Sequence, residues 1–143
     1  MILLDTDHFS VFCDERDARH DLLNERMEAA AKPIACSIVS VEEMLRGWLA
    51  VIHGLRDVHQ QLPAYVRLWR LIEVLGDWDI VLFDERAANG FARLRKQRVR
   101  IGSMDLKIAA IALAEDALLV TGNARDFSKV PGLRYDNWLM PKK

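Results

Sequence analysis

The sequence predicts an α/β fold: a doubly wound α/β/α sandwich around a central parallel sheet of four to five strands. Two observations carry this. The candidate strands are short, continuous apolar runs, the pattern of strands covered on both faces. Between them lie longer segments with apolar residues at helical spacing, so strands and helices alternate. Right-handed crossovers then place helices on both sides of the sheet.

Met1–Leu4 is the first apolar run and ends at Asp5. Asp17–Ala31 carries Leu22, Leu23, Met27 and Ala30 at helical spacing, and Lys32-Pro33 stops it. Ile34–Val39 is the second strand. Ser40 is expected to open a helix to about His53, with Met44, Leu45, Trp48, Leu49 and Ile52 on its apolar side. Gly54 ends it. A further helix over about Arg56–Leu75 is expected to be interrupted near Pro63, with Val66, Trp69 and Ile72 sharing a stripe. Asp79–Phe83 is a third strand and Glu85–Arg98 another helix. Gly102-Ser103 introduces a helix over Met104–Ala114. Ala117–Thr121 is the fourth strand, and Leu133–Tyr135 is a short candidate fifth.

The length of 143 residues is that of one domain, spanning 1–143, and no linker or repeat divides it. Hydrophobic residues at 51% and charged residues at 29% exclude a disordered chain. No apolar run reaches the ~20 residues that span a bilayer, and the acidic start lacks the pattern of a signal peptide. Cys13 and Cys36 supply neither a disulfide framework nor a metal motif. The expected setting is the cytoplasm, away from membranes.

Net charge is −1, but the charge is sorted. Residues 1–60 hold 11 acids and 6 bases, whereas residues 86–107 hold 7 bases and the single acid Asp105.

Open parallel sheets bind ligands beyond the carboxyl ends of their strands. The residues there are Asp5, Thr6 and Asp7, then Ser40, Glu42 and Glu43, then Asp84, then Thr121, Gly122, Asn123 and Asp126. Asp105 falls in the first turn of the helix after Gly102-Ser103. Converging carboxylates repel, by roughly 4 kcal/mol per pair at about 4 Å and an effective dielectric of ~20. A divalent cation relieves this, and Mg²⁺ and Mn²⁺ favour oxygen donors and bridge carboxylates to phosphates. The edge therefore points to metal-dependent phosphoryl chemistry.

Plainer roles fit several of these residues. Ser40 and Glu43 have capping-box spacing, so Glu43 fits a cap as well as a ligand. Asp105 suits a helix N-terminus for electrostatic reasons alone. Asp84 reads as an N-cap before it reads as a ligand, and Asp7 fits a cap of the following turn. Arg93, Arg95, Lys96, Arg98 and Arg100 form either a solvated face or a phosphate-positioning lip. Trp48 and Trp69 read as core or interface. The four histidines have no zinc spacing and read as surface or capping residues.

The ordered set of motifs resembles one family. ILLDTD at the start, SVEEMLRG at 40–47, IGSMDLKIAAIAL at 101–113 and LLVTGNARDFSKVPGLRYDNW at 118–138 are similar to PIN-domain proteins. The likeness is to the VapC-like ribonuclease toxins of type II toxin–antitoxin pairs. The resemblance implies a PIN-like fold and a Mg²⁺- or Mn²⁺-dependent endoribonuclease acting on RNA, tRNA or rRNA above all. It maps the catalytic and metal-binding acids to Asp5, Glu43 and Asp105; Glu43 rather than Glu42 keeps the spacing to Gly47. Thr6, Asp7, Thr121, Asn123 and Asp126 become supporting residues, with Asn123 where many relatives have a fourth acid. The resemblance further implies a homodimer and a VapB-like antitoxin, through which operator DNA is met only indirectly. Two other readings are a PIN-like binding protein without catalysis and a phospho-receiver domain using Asp84.

Overall fold

The computed structural model describes residues 1–142. Five strands, β1 (Ile2–Leu4), β2 (Ile34–Ser37), β3 (Ile80–Val81), β4 (Leu118–Val120) and β5 (Tyr135–Asp136), form one sheet in the order β3-β2-β1-β4-β5. Every neighbouring pair is parallel. The expected doubly wound sandwich is thus present, with five strands. Strand order reverses on either side of β1, and that reversal opens a crevice at the carboxyl ends of β1 and β4.

Seven helices connect the strands: α1 (Thr6–Cys13), α2 (His20–Ala30), α3 (Ile38–Gly54), α4 (Val58–Gly76), α5 (Glu85–Lys96), α6 (Ser103–Ala114) and α7 (Ala124–Phe127). Period-two alternation in β1 divides the core. Leu3 faces a cluster with Leu94 of α5, Leu106 and Ile108 of α6 and Phe127 of α7. Ile2 and Leu4 face the opposite cluster with Phe9, Leu23, Met44 and Leu71. Helix α6 is buried at Leu106 and from Ile108 to Ala112, as befits a helix wedged between sheet and α5. Gly90 of α5 faces Ala110 of α6, where a β-carbon would make an ordinary van der Waals contact at 3.8 Å.

Four local expectations are corrected. Helix α3 starts at Ile38, and its cap is Ser37, whose Oγ accepts the Ser40 N–H at 3.1 Å. The Ser40–Glu43 capping box is therefore absent, because Ser37 holds the extended backbone a cap requires. Helix α1, unassigned from sequence, is capped by Asp5 and not Asp7. Helix α4 runs unbroken through Pro63. Pro63 and His59 are both exposed, so the His59 carbonyl that loses its intrahelical partner is open to solvent. Finally, the α4 stripe, read as core or interface, is not core: Val66, Trp69 and Ile72 are exposed, Trp69 at 61%, and Val58, Leu62 and Tyr65 extend the strip.

Helices α5 and α6 are antiparallel. The Arg86 guanidinium reaches the Ala114 carbonyl at 3.2 Å and Glu115 at 2.7 Å, at the C-terminal end of α6. The other end of α5 carries Arg93, Arg95 and Lys96 toward the N-terminus of α6, where Asp105 lies. Asp84, expected at the strand-end edge with Asp5, caps α5 by accepting the Ala87 N–H at 2.9 Å and pairs with Arg86 at 3.5 Å. Strand β3 is the sheet edge, separated from β1 by β2, and Asp84 is not among the acids that act on Asp105, so it stands outside the acidic group.

Candidate active site

The first acid follows directly from β1. The Asp5 N–H donates to the Val120 carbonyl at 3.0 Å, extending the β1–β4 ladder by one bond. The chain then turns into α1, and Asp5 Oδ1 accepts the His8 backbone N–H at 2.8 Å. Capping thus fixes the carboxylate at the crevice, only 7% exposed. The same Oδ1 lies 3.0 Å from Nδ1 of the fully buried His8 ring. This histidine was read from sequence as a surface or capping residue. The available signal was its place three residues after a strand-terminal aspartate, a spacing that returns a helical side chain to its own cap.

The second acid arrives on α3. Thr6, the first residue of α1, donates its hydroxyl to Glu43 Oε1 at 2.6 Å and lies 3.0 Å from Ser40 Oγ. Ser37 and Ser40 are fully buried beneath this pair. Because Ser37 caps α3, Glu43 is released from capping and turned toward Thr6. Glu42 points away, paired with Arg46 on the exposed face.

The third acid opens α6. Asp105 Oδ2 accepts from Asn123 Nδ2 at 3.3 Å, and the same amide donates to Asp126 Oδ2 at 3.0 Å. Asn123 is itself held by its backbone N–H on Thr121 Oγ1 at 3.0 Å. Thr121 therefore reaches the site through Asn123. Asp126 also meets Lys129 at 3.6 Å.

Burial raises the pKa of Asp105 above the ordinary carboxylate value, and Glu43, Asp5 and Asp126 push in the same direction; only the Asn123 hydrogen bond opposes them. The three acids from β1, α3 and α6, and Asp126 from α7, thus share one field. Among the described residues no three His, Cys, Asp or Glu side chains form a closed metal cage. The donor set nevertheless fits a hydrated hard cation, which needs only one or two carboxylates and keeps its waters. Asp7 is exposed, and with Gly122 and Asn123 it lines the inner wall of a cleft of about 1250 Å³ that runs past Arg67 and Arg70 of α4.

Cysteine chemistry is excluded by burial, which pushes the Cys13 thiol up to about 12 and Cys36 to about 11. Arg93, Arg95, Lys96, Arg98 and Arg100 are all exposed, and none pairs with an acid among the described residues. Arg98 holds a left-handed backbone with φ 59°, closing α5 through a Val99 N–H to Leu94 carbonyl bond of 3.2 Å. That position ordinarily takes glycine. Arg95, Arg98 and Arg100 surround a pocket with Phe91 and Ser103, and the Arg95 guanidinium sits 5.6 Å above the Phe91 ring.

The chain is similar in sequence and fold to known proteins. The chain is 44% identical over 45 residues to Ribonuclease VapC2 of Rickettsia felis, an alignment covering 32% of this chain and only 34% of that protein. It is 29% identical over 106 residues to Ribonuclease VapC1 of Haemophilus influenzae, covering 73% and 74% of the two chains. The crystal structure of VapBC2 from Rickettsia felis bound to a promoter DNA fragment matches with a TM-score of 0.70 at 25% identity, over 96% of this chain and 99% of that one. The family model of the PIN domain matches residues 2–133, a span that contains every strand but β5 and all the acids of the crevice. With its five-stranded parallel sheet and its acids at the β1–β4 switch point, the chain belongs to the PIN domain family.

Proposed function

We propose that the protein is a Mg²⁺- or Mn²⁺-dependent endoribonuclease, the toxin of a toxin–antitoxin pair. The observation that carries this reading is the convergence of Asp5, Glu43 and Asp105 on one crevice, with Asp105 burdened by the charge of the others. The ribonuclease names of its relatives support it.

Asp5 and Asp105 would hold the cation, with Glu43 completing the set. A bound divalent ion supplies positive charge at the phosphodiester and eases deprotonation of water. The chain's own groups do the rest. Glu43 has Oε1 committed to Thr6, so its other oxygen is oriented to take a proton from the attacking water. Asn123 keeps Asp105 and Asp126 apart and aimed by offering both its amide hydrogens. Asp7 lines the cleft beside Asn123. The exposed arginines and Lys96 at the α5–α6 turn would grip the RNA backbone, tRNA or rRNA being the substrates favoured here.

The exposed strip of Val58, Leu62, Tyr65, Val66, Trp69 and Ile72 is the kind of surface that protein association covers. It supports a chain that works as a homodimer with a VapB-like antitoxin, operator DNA being met through the antitoxin. Among the described residues no helix is long and apolar enough to cross a membrane. We place the pair in the cytoplasm.

The test is incubation of total cellular RNA with antitoxin-free protein in Mg²⁺, Mn²⁺ or EDTA, with Asp5→Asn alongside. Discrete fragments that require both metal and Asp5 are expected. Metal binding by a folded protein that cleaves no RNA would replace this reading with the binding-only one.

The α5–α6 turn has its own expected result. Arg95→Ala combined with Arg98→Gly should weaken RNA binding about tenfold and reduce the salt slope by about 1.4, two phosphate contacts at ~0.7 each. Glycine at 98 also suits the left-handed backbone, so stability should not fall. Filter binding across a salt series checks this; an unchanged slope would make the turn a solvated face.

A further inference from the structure

We infer that His8 is a positioning residue for Asp5, and that the C-terminal segment sets its protonation pattern. The inference rests on the proposed role of Asp5 and goes beyond it.

His8 is fully buried in α1, with both ring nitrogens engaged. Nε2 lies 3.2 Å from the backbone N of Trp138. A backbone N–H can only donate, so Nε2 must be the unprotonated acceptor. The ring proton therefore resides on Nδ1, 3.0 Å from Asp5 Oδ1, and is donated to that carboxylate. The opposite tautomer would aim a lone pair at the carboxylate and an N–H at the Trp138 N–H, and both contacts disfavour it.

The consequence for Asp5 is directional. Oδ1 receives two hydrogen bonds from His8, one from its backbone and one from its ring. Among the described residues no donor reaches Oδ2. His8 thus occupies the inner oxygen, keeps the carboxylate from rotating, and leaves the other oxygen for a ligand. Groups behind a ligating residue of this kind orient it and tune its basicity.

The segment that imposes the tautomer is held independently. The Thr121 N–H donates to the Asp136 carbonyl at 2.8 Å, Trp138 Nε1 donates to Asp136 Oδ2 at 3.1 Å, and Arg26 of α2 donates to the Asn137 carbonyl at 3.1 Å. Residues 136–138 are therefore clamped between β4 and α2. The backbone N–H of Trp138 is fixed before it meets His8.

Two substitutions separate the functions of the two nitrogens. In His8→Asn the amide nitrogen stands where Nδ1 stood, restoring the donor to Asp5 but leaving Trp138 without an acceptor. In His8→Gln the amide oxygen reaches the place of Nε2, satisfying Trp138 but withdrawing the ring proton from Asp5. Mn²⁺ affinity by titration calorimetry and RNA cleavage at saturating metal are measured on both. His8→Gln should lose about 10- to 100-fold in Mn²⁺ affinity or kcat, with KM for RNA unchanged, and His8→Asn should keep both within about threefold. Equal losses in the two variants, or a larger loss in His8→Asn, would mean that the ring serves packing and the C-terminal segment only. Nitrogen-15 spectra of the wild-type imidazole test the same point without mutation: a protonated Nδ1 and bare Nε2 are expected, and any other form overturns the inference. If Asp5→Asn binds Mn²⁺ like the wild type, the assignment of Asp5 fails, and the inference with it; if Asp5→Asn loses Mn²⁺ while the two His8 variants behave alike, only the inference fails.

Discussion

Asp105→Asn should sharply reduce the proposed RNA cleavage and at the same time raise the melting temperature of the metal-free protein. Loss of one carboxylate would weaken the hold on the cation that neutralises the phosphodiester, which should cost about 4 kcal/mol, a fall of about 10³-fold in rate. The stability change has the opposite sign. Burial, Glu43 and Asp5 raise the folded-state pKa of Asp105 above its unfolded value, so the folded chain binds that proton more tightly. The associated destabilisation is absent at low pH, grows as pH rises from the ordinary carboxylate value, and is complete above the raised pKa. Above that raised pKa the wild type bears all of it and the amide bears none. Asparagine keeps an oxygen for the Asn123 amide, so the contact of 3.3 Å survives. Thermal denaturation in EDTA should show a gain of a few degrees for the variant, and added Mg²⁺ should stabilise the wild type more than the variant. A variant that melts lower than the wild type in EDTA would show that the carboxylate is held by its helix N-terminus more firmly than it is repelled.

Phe9→Ala should be the most damaging of the core changes near the site. The ring is completely buried, packed edge-to-face on Trp78 at 4.7 Å and stacked near Phe12 at 6.1 Å. Truncation of such a ring costs about 3–5 kcal/mol, a large part of the 5–15 kcal/mol that holds a domain together. Urea denaturation should report a lower midpoint with an unchanged m-value. Trp69→Ala is the contrasting case. Its side chain is 61% exposed, so the isolated chain should change by no more than about 0.5 kcal/mol. The larger aromatic thus matters less to the fold, and whatever it contributes falls to association.

That contrast marks where reading the chain alone stops. The apolar periodicity of α4 is plain in the sequence, and so is its period, but periodicity does not state which way the stripe faces. Ala64 and Leu71 turn to the core while Val66, Trp69 and Ile72 do not. The strands and the long helices were legible because continuous apolar runs and 3.6-residue spacing are local properties. Helix α1 was not, since its eight residues mix Thr, Asp, His, Phe and Ser without a clear stripe.

The acids divide in the same manner. Asp5 and Asp105 stood out because one terminates an apolar strand and the other opens an apolar helix. Glu43 was ambiguous while Ser40 could be its capping partner; the choice of Ser37 as the cap, made by the extended backbone at the end of β2, released it. Asp84 looked equivalent to Asp5 at the end of a strand, until the antiparallel pairing of α5 and α6 committed it to a cap and to Arg86.

By itself the sequence determined the layers, the parallel sheet and the acidic character of one edge. Those follow from alternation along the chain and from the rule that strand ends bear the polar residues of such sheets. Only the tertiary structure decided how each acid is held. The Thr6 hydroxyl meets Glu43 across 37 residues, Asn123 meets Asp105 across 18, and His8 meets Trp138 across 130. The proton on His8 is the clearest example, because its place on Nδ1 depends on a backbone N–H that arrives from the other end of the chain. Hydrogen bonds of this reach depend on sheet order and helix packing together, and no local pattern encodes them.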